Sequence, residues 1–156
     1  MQLRTIIICD HTEWQCYSRD SGWHVRINDQ RSGQGSIAML RGLTEGLTVY
    51  LVTGYTDMRK SIDGLAAIAQ GTLNMDPFSG SLFLFCGRRC DRIKALLWDG
   101  DGFLLLYKRL DNGSFKWPRT ETQARQLSQR ELRWLLEGLE LEQPKAIKPG
   151  SRGALY

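Results

Sequence analysis

The clearest pattern of apolar and polar positions runs from Cys86 to Pro118, CGRRCDRIKALLWDGDGFLLLYKRLDNGSFKWP. Asp99-Gly100-Asp101-Gly102 separates IKALLW from FLLLYKRL, and Asn112-Gly113 separates YKRL from SFKW. Asp-Gly and Asn-Gly reach positive φ at low cost, so both suit hairpin turns and the stretch predicts three antiparallel strands. With Gly100-Asp101 at the first tip, Trp98 lies opposite Phe103, Leu96 opposite Leu105, Lys94 opposite Tyr107 and Arg92 opposite Arg109. With Asn112-Gly113 at the second tip, Arg109 faces Lys116. Side chains alternate between faces. One face therefore carries Trp98, Phe103, Leu96, Leu105 and Tyr107 and ends in Arg92, Lys94, Arg109 and Lys116. Like charges directly opposite each other destabilise a sheet. The row calls for an anion, either a carboxylate of the chain such as Asp57 or the phosphates of another molecule. A one-residue slip would scatter it.

The remaining pattern supplies the elements around this meander. Thr48-Val49-Tyr50-Leu51-Val52-Thr53 is a strand by composition. Thr56 is suited to cap a following helix, with Asp57 in its first turn. Met58, Ile62, Leu65, Ala66 and Ala69 form that helix's buried stripe, and Arg59, Lys60 and Asp63 fall off it. Asn74 to Gly80 is a loop, and Ser81 to Cys86 reads as a strand buried on both faces. Pro118 closes the sheet, and 119–127 is a polar connection. Ser128-Gln129-Arg130-Glu131 is a capping box ahead of Leu132, Leu135, Leu136 and Leu139, a second amphipathic helix. The expected fold class is α+β: a mainly antiparallel sheet, a three- to four-stranded meander plus an N-terminal strand, packed by two helices. Residues 39–143 are expected to be its single domain, with 144–156 a flexible basic tail.

Residues 1–38 carry Trp14, Tyr17 and Trp23 but no sustained period. Only Thr5 to Cys9 suggests a strand there by β-branching. The stretch reads either as an appended element or as sequence upstream of a start at Met39. The second reading, a non-native or disordered leader, is favoured.

Charge sharpens the picture of the meander. The 156 residues carry a net charge of +4. Residues 1–38 are balanced, and 87–119 hold eight Lys or Arg against four Asp, so the excess lies in the meander. No apolar run reaches the roughly 18–20 residues that span a bilayer. The protein is expected to be cytoplasmic, with Cys9, Cys16, Cys86 and Cys90 as reduced thiols. Their Cys-x6-Cys and Cys-x3-Cys spacings are unusual for zinc, so no metal or other cofactor is expected. No nucleophile elbow, phosphate loop or dinucleotide fingerprint occurs, and His11 and His24 both lie in the leader.

Five motifs in one order complete the reading: Thr56 to Lys60, Asp76 to Gly80, Asp91 to Lys94, Trp98 to Phe103 and Tyr107 to Leu110. Over roughly residues 42–141 the chain resembles the TnpB-type accessory protein of the insertion sequence 66 family of bacterial transposable elements. Members of that family usually begin just before the Val-Tyr-Leu strand, a pattern from which residues 1–38 depart. The resemblance implies an accessory role in transposition, with strand transfer residing in a separate, larger transposase of the same element. The expected partners are DNA at the element ends, the transposase and other proteins of the element. No membrane and no small-molecule substrate are expected.

Three mechanisms suit that setting. In the first, Arg92, Lys94, Lys108, Arg109, Lys116, Arg88 and Arg89 contact phosphates, while Tyr107, Trp98 and Trp117 stack on exposed bases. In the second, the protein bridges transposase components without touching DNA, using Arg59, Lys60 and Arg109 toward acidic partners. Asp57, Arg59, Lys60, Trp98, Asp99 and Asp101 are the motif residues that serve interaction or structure. The third is a Mg²⁺-dependent nuclease with Asp57, Asp91, Asp99 and Asp101 as ligands, but turn and helix-start preferences account for three of these. No catalytic residue is assigned.

Overall fold

A computed structural model describes the backbone of residues 5–10, 13–18 and 24–27, and residues 42, 44–145 and 147 with their side chains. It shows a mostly antiparallel sheet packed by two helices, the α+β arrangement expected from the pattern. In chain order the strands are β1 (Thr5–Asp10), β2 (Glu13–Ser18), β3 (His24–Ile27), β4 (Val49–Val52), β5 (Leu82–Cys86), β6 (Arg92–Trp98), β7 (Phe103–Arg109) and β8 (Ala124–Leu127). Helix α1 is Ile62–Ala67, continued by a π-helical turn at Ile68–Thr72, and α2 is Gln129–Leu136. The spatial order is β3-β2-β1-β7-β6-β5-β4-β8. The pairs β4–β5 and β1–β7 are parallel, and every other neighbouring pair is antiparallel.

Alternation along the strands builds a core on each face. Phe83, Phe85, Leu96 and Leu105 point to one side and meet Ile62 and Leu65 of α1 and Ala69 of the π-helical turn. Leu82, Leu84, Ile93, Ala95, Leu97 and Leu106 point to the other and meet Leu132, Leu135 and Leu136 of α2. Each such Leu or Phe removed from water contributes about 2 kcal/mol. The continuous apolar run of β5 is explained by this arrangement, since all five of its residues are buried between the two cores. At α2 the Ser128 hydroxyl accepts from the Glu131 N–H at 3.2 Å, and the Glu131 carboxylate accepts from the Ser128 N–H at 2.8 Å. The capping box therefore forms as its spacing predicts.

The first hairpin has the predicted register throughout, with Trp98↔Phe103, Leu96↔Leu105, Lys94↔Tyr107 and Arg92↔Arg109. The three-stranded meander is β5–β6–β7, one strand earlier than expected. Residues 114–117 form no strand. The far edge of β7 pairs with β1 instead, and Phe115 and Trp117 are buried against the α2 face. The Phe115 N–H donates to the Cys90 carbonyl at 2.8 Å, and the Trp117 indole Nε1 donates to the Val52 carbonyl at 3.0 Å. The chain from Leu110 to Gln123 thus crosses the end of the sheet from β7 to β8. It is held there by Gly54 N–H to Pro118 C=O and Thr53 N–H to Gln123 C=O, both 2.9 Å.

Two further positions differ from expectation. Helix α1 begins after Ser61, not Thr56, because the Asp57 carboxylate holds residues 57–60 in a separate turn. The supposed connection at 119–127 contains β8, which pairs with the outer edge of β4. Within 1–38, Thr5 to Cys9 falls in β1, and β2 and β3 add two strands that composition does not announce. Of the tail, 146 and 148–156 lie outside the described residues.

Candidate functional site

Strands β4 and β5 run parallel, so the loops that follow them emerge side by side at one end of the sheet. The first loop carries Tyr55-Thr56-Asp57-Met58-Arg59-Lys60 and the second Gly87-Arg88-Arg89-Cys90-Asp91. They touch directly. The Thr56 N–H donates to the Cys86 carbonyl at 2.8 Å, and a Cβ on Gly87 would lie 2.8 Å from Cγ of Met58. A side chain there would force Met58 to shift, so glycine lets the two loops pack this closely. Between the loops lies a cleft of about 490 Å³ lined by Tyr55, Asp57, Arg59, Arg88, Arg89, Asp91 and Arg92 among others.

The cleft's two carboxylates are each gripped by an arginine. Asp57 Oδ1 accepts from the Arg59 N–H at 3.0 Å, and its two oxygens accept from Arg59 Nε and Nη2, the latter at 2.7 Å. These bonds hold the Asp57 carboxyl at about 2. Asp91 accepts from Arg92 Nε at 2.9 Å and Nη2 at 2.8 Å. The Arg92 fork lowers the Asp91 carboxyl, and the same bond raises the Arg92 guanidinium. Asp91 is thus an intramolecular answer to the Arg92–Arg109 juxtaposition, while Asp57 is engaged by Arg59.

Arg88 and Arg89 project from a turn closed by the Cys90 N–H to the Gly87 carbonyl at 3.0 Å. Both are exposed, and the Arg88 guanidinium stands 5.7 Å from the Tyr55 ring centroid. The turn is braced from behind. Arg119 Nη2 donates to the Arg88 carbonyl at 2.8 Å and to the Cys90 sulfur at 3.2 Å, and Phe115 bonds the Cys90 carbonyl. Cys90 itself takes φ 55°, a left-handed conformation unusual for a side-chain-bearing residue. Cys86 and Cys90 are buried free thiols, and burial, chiefly, with Cys90 beside it, pushes the Cys86 thiol up.

The other sequence-selected residues scatter around this centre. Lys94 Nζ donates to the Lys60 carbonyl at 2.8 Å and stands 5.8 Å from the Tyr107 ring centroid. Burial lowers the Lys94 amine. Arg109 is exposed at the Arg92 end of the hairpin. Lys108 pairs with Ile93 and so belongs to the α2 face. Lys116 is exposed on the crossing segment and lines a separate groove with Arg119. Trp117 is buried and bonded to Val52, so it stacks on nothing outside the protein, contrary to expectation. Trp98, Asp99 and Asp101 sit at the opposite end of β6, roughly 25 Å from Asp91 by strand rise. Trp98 there packs edge-on against Phe103 and Phe78, at 5.0 and 5.1 Å between centroids. The four aspartates considered for Mg²⁺ therefore do not converge.

Tyr55 is the residue the sequence did not single out. It is 60% exposed at the mouth of the cleft. Its position between Gly54 and the buried Thr56, at the end of a strand, is a signal available only once the neighbouring arginine turn is known.

Fold and site together define a small α+β domain with an arginine-lined cleft at the end of a parallel strand pair. The chain belongs to the family described as IS66 Orf2 like protein, whose model matches residues 47–146. It is 39% identical over 101 residues to the uncharacterized protein y4hO of Sinorhizobium fredii, covering 65% of this chain and 88% of that one. It is 35% identical over 111 residues to the uncharacterized protein y4jC of the same organism, covering 71% and 94%. No solved structure matches the chain. Membership in this family supports a transposition-associated accessory role. Among the described residues, no helix is long and apolar enough to cross a membrane.

Proposed function

We propose that this protein binds DNA as a cytoplasmic accessory factor in transposition of its element, and that it positions DNA or helps assemble the transposase complex without catalysing strand transfer. The observation that carries this reading is the braced turn presenting Arg88 and Arg89 beside Arg59 and Arg92. Four arginines stand there against two aspartates, and each aspartate is already held by an arginine. Guanidinium groups suit phosphate because their fork matches its oxygens. Lys94 and Arg109 extend the basic surface along the hairpin, while Lys108 and Lys116 lie off it. Phosphate contacts of this kind position a protein without reading sequence.

A filter-binding titration of the full chain with an element-end fragment tests this. Neutralising about three phosphates gives log K against log salt a slope near −3. A flat salt dependence would overturn the reading. The alternative, a bridging role without DNA, would turn the exposed Arg59, Lys60 and Arg109 toward acidic residues of a partner protein. In that case the protein co-purifies with the transposase and retains no DNA. Incubation of labelled element ends with Mg²⁺ should leave them intact.

A further inference from the structure

The cleft carries one group that duplex phosphates have no use for. Tyr55 is 60% exposed, and its backbone is fixed on both sides. Before it, the Gly54 N–H donates to the Pro118 carbonyl at 2.9 Å. After it, the Thr56 N–H donates to the Cys86 carbonyl at 2.8 Å. An aromatic ring held this way has little backbone freedom to lose when a ligand covers it. The Arg88 guanidinium stands over the ring at 5.7 Å from its centroid, within cation–π range. Arg59, Arg89 and Arg92 border the same space.

We infer that the cleft takes a nucleotide of single-stranded DNA, its base stacked on Tyr55 and its flanking phosphates held by Arg88 and Arg89. This rests on the DNA-binding reading and narrows it. Intact duplex buries the faces of its bases and presents only their edges in the grooves. A tyrosine face is useful only to a base already out of the stack, where every base offers a π surface. The size agrees. About 490 Å³ is the volume of a site for one small ligand. Tyr107 carries a cation at a similar distance but does not compete for this role, since its ring is only partly exposed.

The test compares the full-length wild type, Tyr55→Ala and Tyr55→Phe by fluorescence anisotropy. The probes are a labelled single-stranded 12-mer and the same sequence as duplex, at one salt concentration. The wild type should bind the single strand more tightly. Tyr55→Ala should weaken single-strand binding about tenfold, in the range of one lost base stack, and duplex binding less than twofold. Tyr55→Phe should keep the wild-type preference. Because the side chain is exposed, thermal melting of both variants should match the wild type, which separates loss of contact from loss of fold. Equal weakening of both probes by Tyr55→Ala, or no effect on either, would overturn the inference while leaving DNA binding in place. A wild type that binds neither probe would overturn the DNA-binding reading itself.

Discussion

The two ends of the β6–β7 hairpin share strands, face and register, yet they hold opposite chemistry. At one end Trp98 faces Phe103, and Phe78 closes over both, with its ring centroid 5.1 and 5.2 Å from theirs. At the other end Arg92 faces Arg109, a pairing that repels and that Asp91 makes tolerable. The aromatic end completes itself, since each ring finds partners within the chain. The cationic end gathers more guanidinium groups than its carboxylates neutralise, because the loops after β4 and β5 add theirs. The contrast separates a cluster of rings that pack on one another from a cluster of cations in which only Asp57 and Asp91 are gripped by an arginine fork.

Charge reversal at the cationic end should have the largest effect. Replacing both Arg88 and Arg89 with Glu is expected to lower DNA affinity about a hundredfold near 0.1 M salt and to flatten the salt slope by about two. The urea midpoint should stay where it is, since both side chains are exposed. Anisotropy titrations at several salt concentrations, beside a denaturation curve, check both halves. A fall in stability equal to the fall in affinity would erase the distinction between the two ends.

The aromatic end should respond in the opposite sense. Trp98→Ala removes a half-buried ring with two aromatic neighbours and is expected to cost about 2 kcal/mol, somewhat below a fully buried Trp. DNA affinity should remain within twofold. Phe78→Ala removes a ring that is already half exposed, so about 1 kcal/mol is expected in the same urea experiment. If either substitution abolished DNA binding without unfolding the protein, the aromatic end would belong to the binding surface after all.

The hairpin was legible because its turn residues and period-two alternation constrain the register together. The continuous apolar run of β5 and the Ser128–Glu131 box were equally direct. Phe115 and Trp117 misled because two aromatics at i and i+2 look the same in a strand and in a crossing segment that drops both into the core. Strand β8, Ala-Arg-Gln-Leu, has no alternation strong enough to announce an edge strand. The start of α1 was placed too early because Thr56 suits a cap, whereas Asp57 turns back to Arg59 and the helix starts only after Ser61. The cleft depends on two loops about thirty residues apart in sequence meeting across a parallel pair. Composition gave its arginines, but tertiary packing alone decides that Tyr55 stands outside and Trp117 inside.

The smallest effect concerns the clamp at the cleft's rim and follows acid. The Arg59 side chain donates to Asp57, and the Arg59 N–H adds a bond, so the folded carboxyl ionises at about 2 against 3.8 without those partners. The unfolded chain therefore binds more protons between these values, and stability falls with falling pH. The contribution is fully present above about pH 3.8 and is lost as pH drops through about 2. It should be modest, since Arg59 is 91% exposed and surface pairs are weak and screened. A ¹³C carboxyl titration at low salt should place Asp57 near 2, and Arg59→Ala should return it toward 3.8. Added salt should raise the wild-type midpoint in the same direction. An ordinary midpoint at low salt would mean that the pair does not persist in solution. Arg59 would then be as available to phosphate as Arg88 and Arg89, which would strengthen the cationic end at the expense of its internal order.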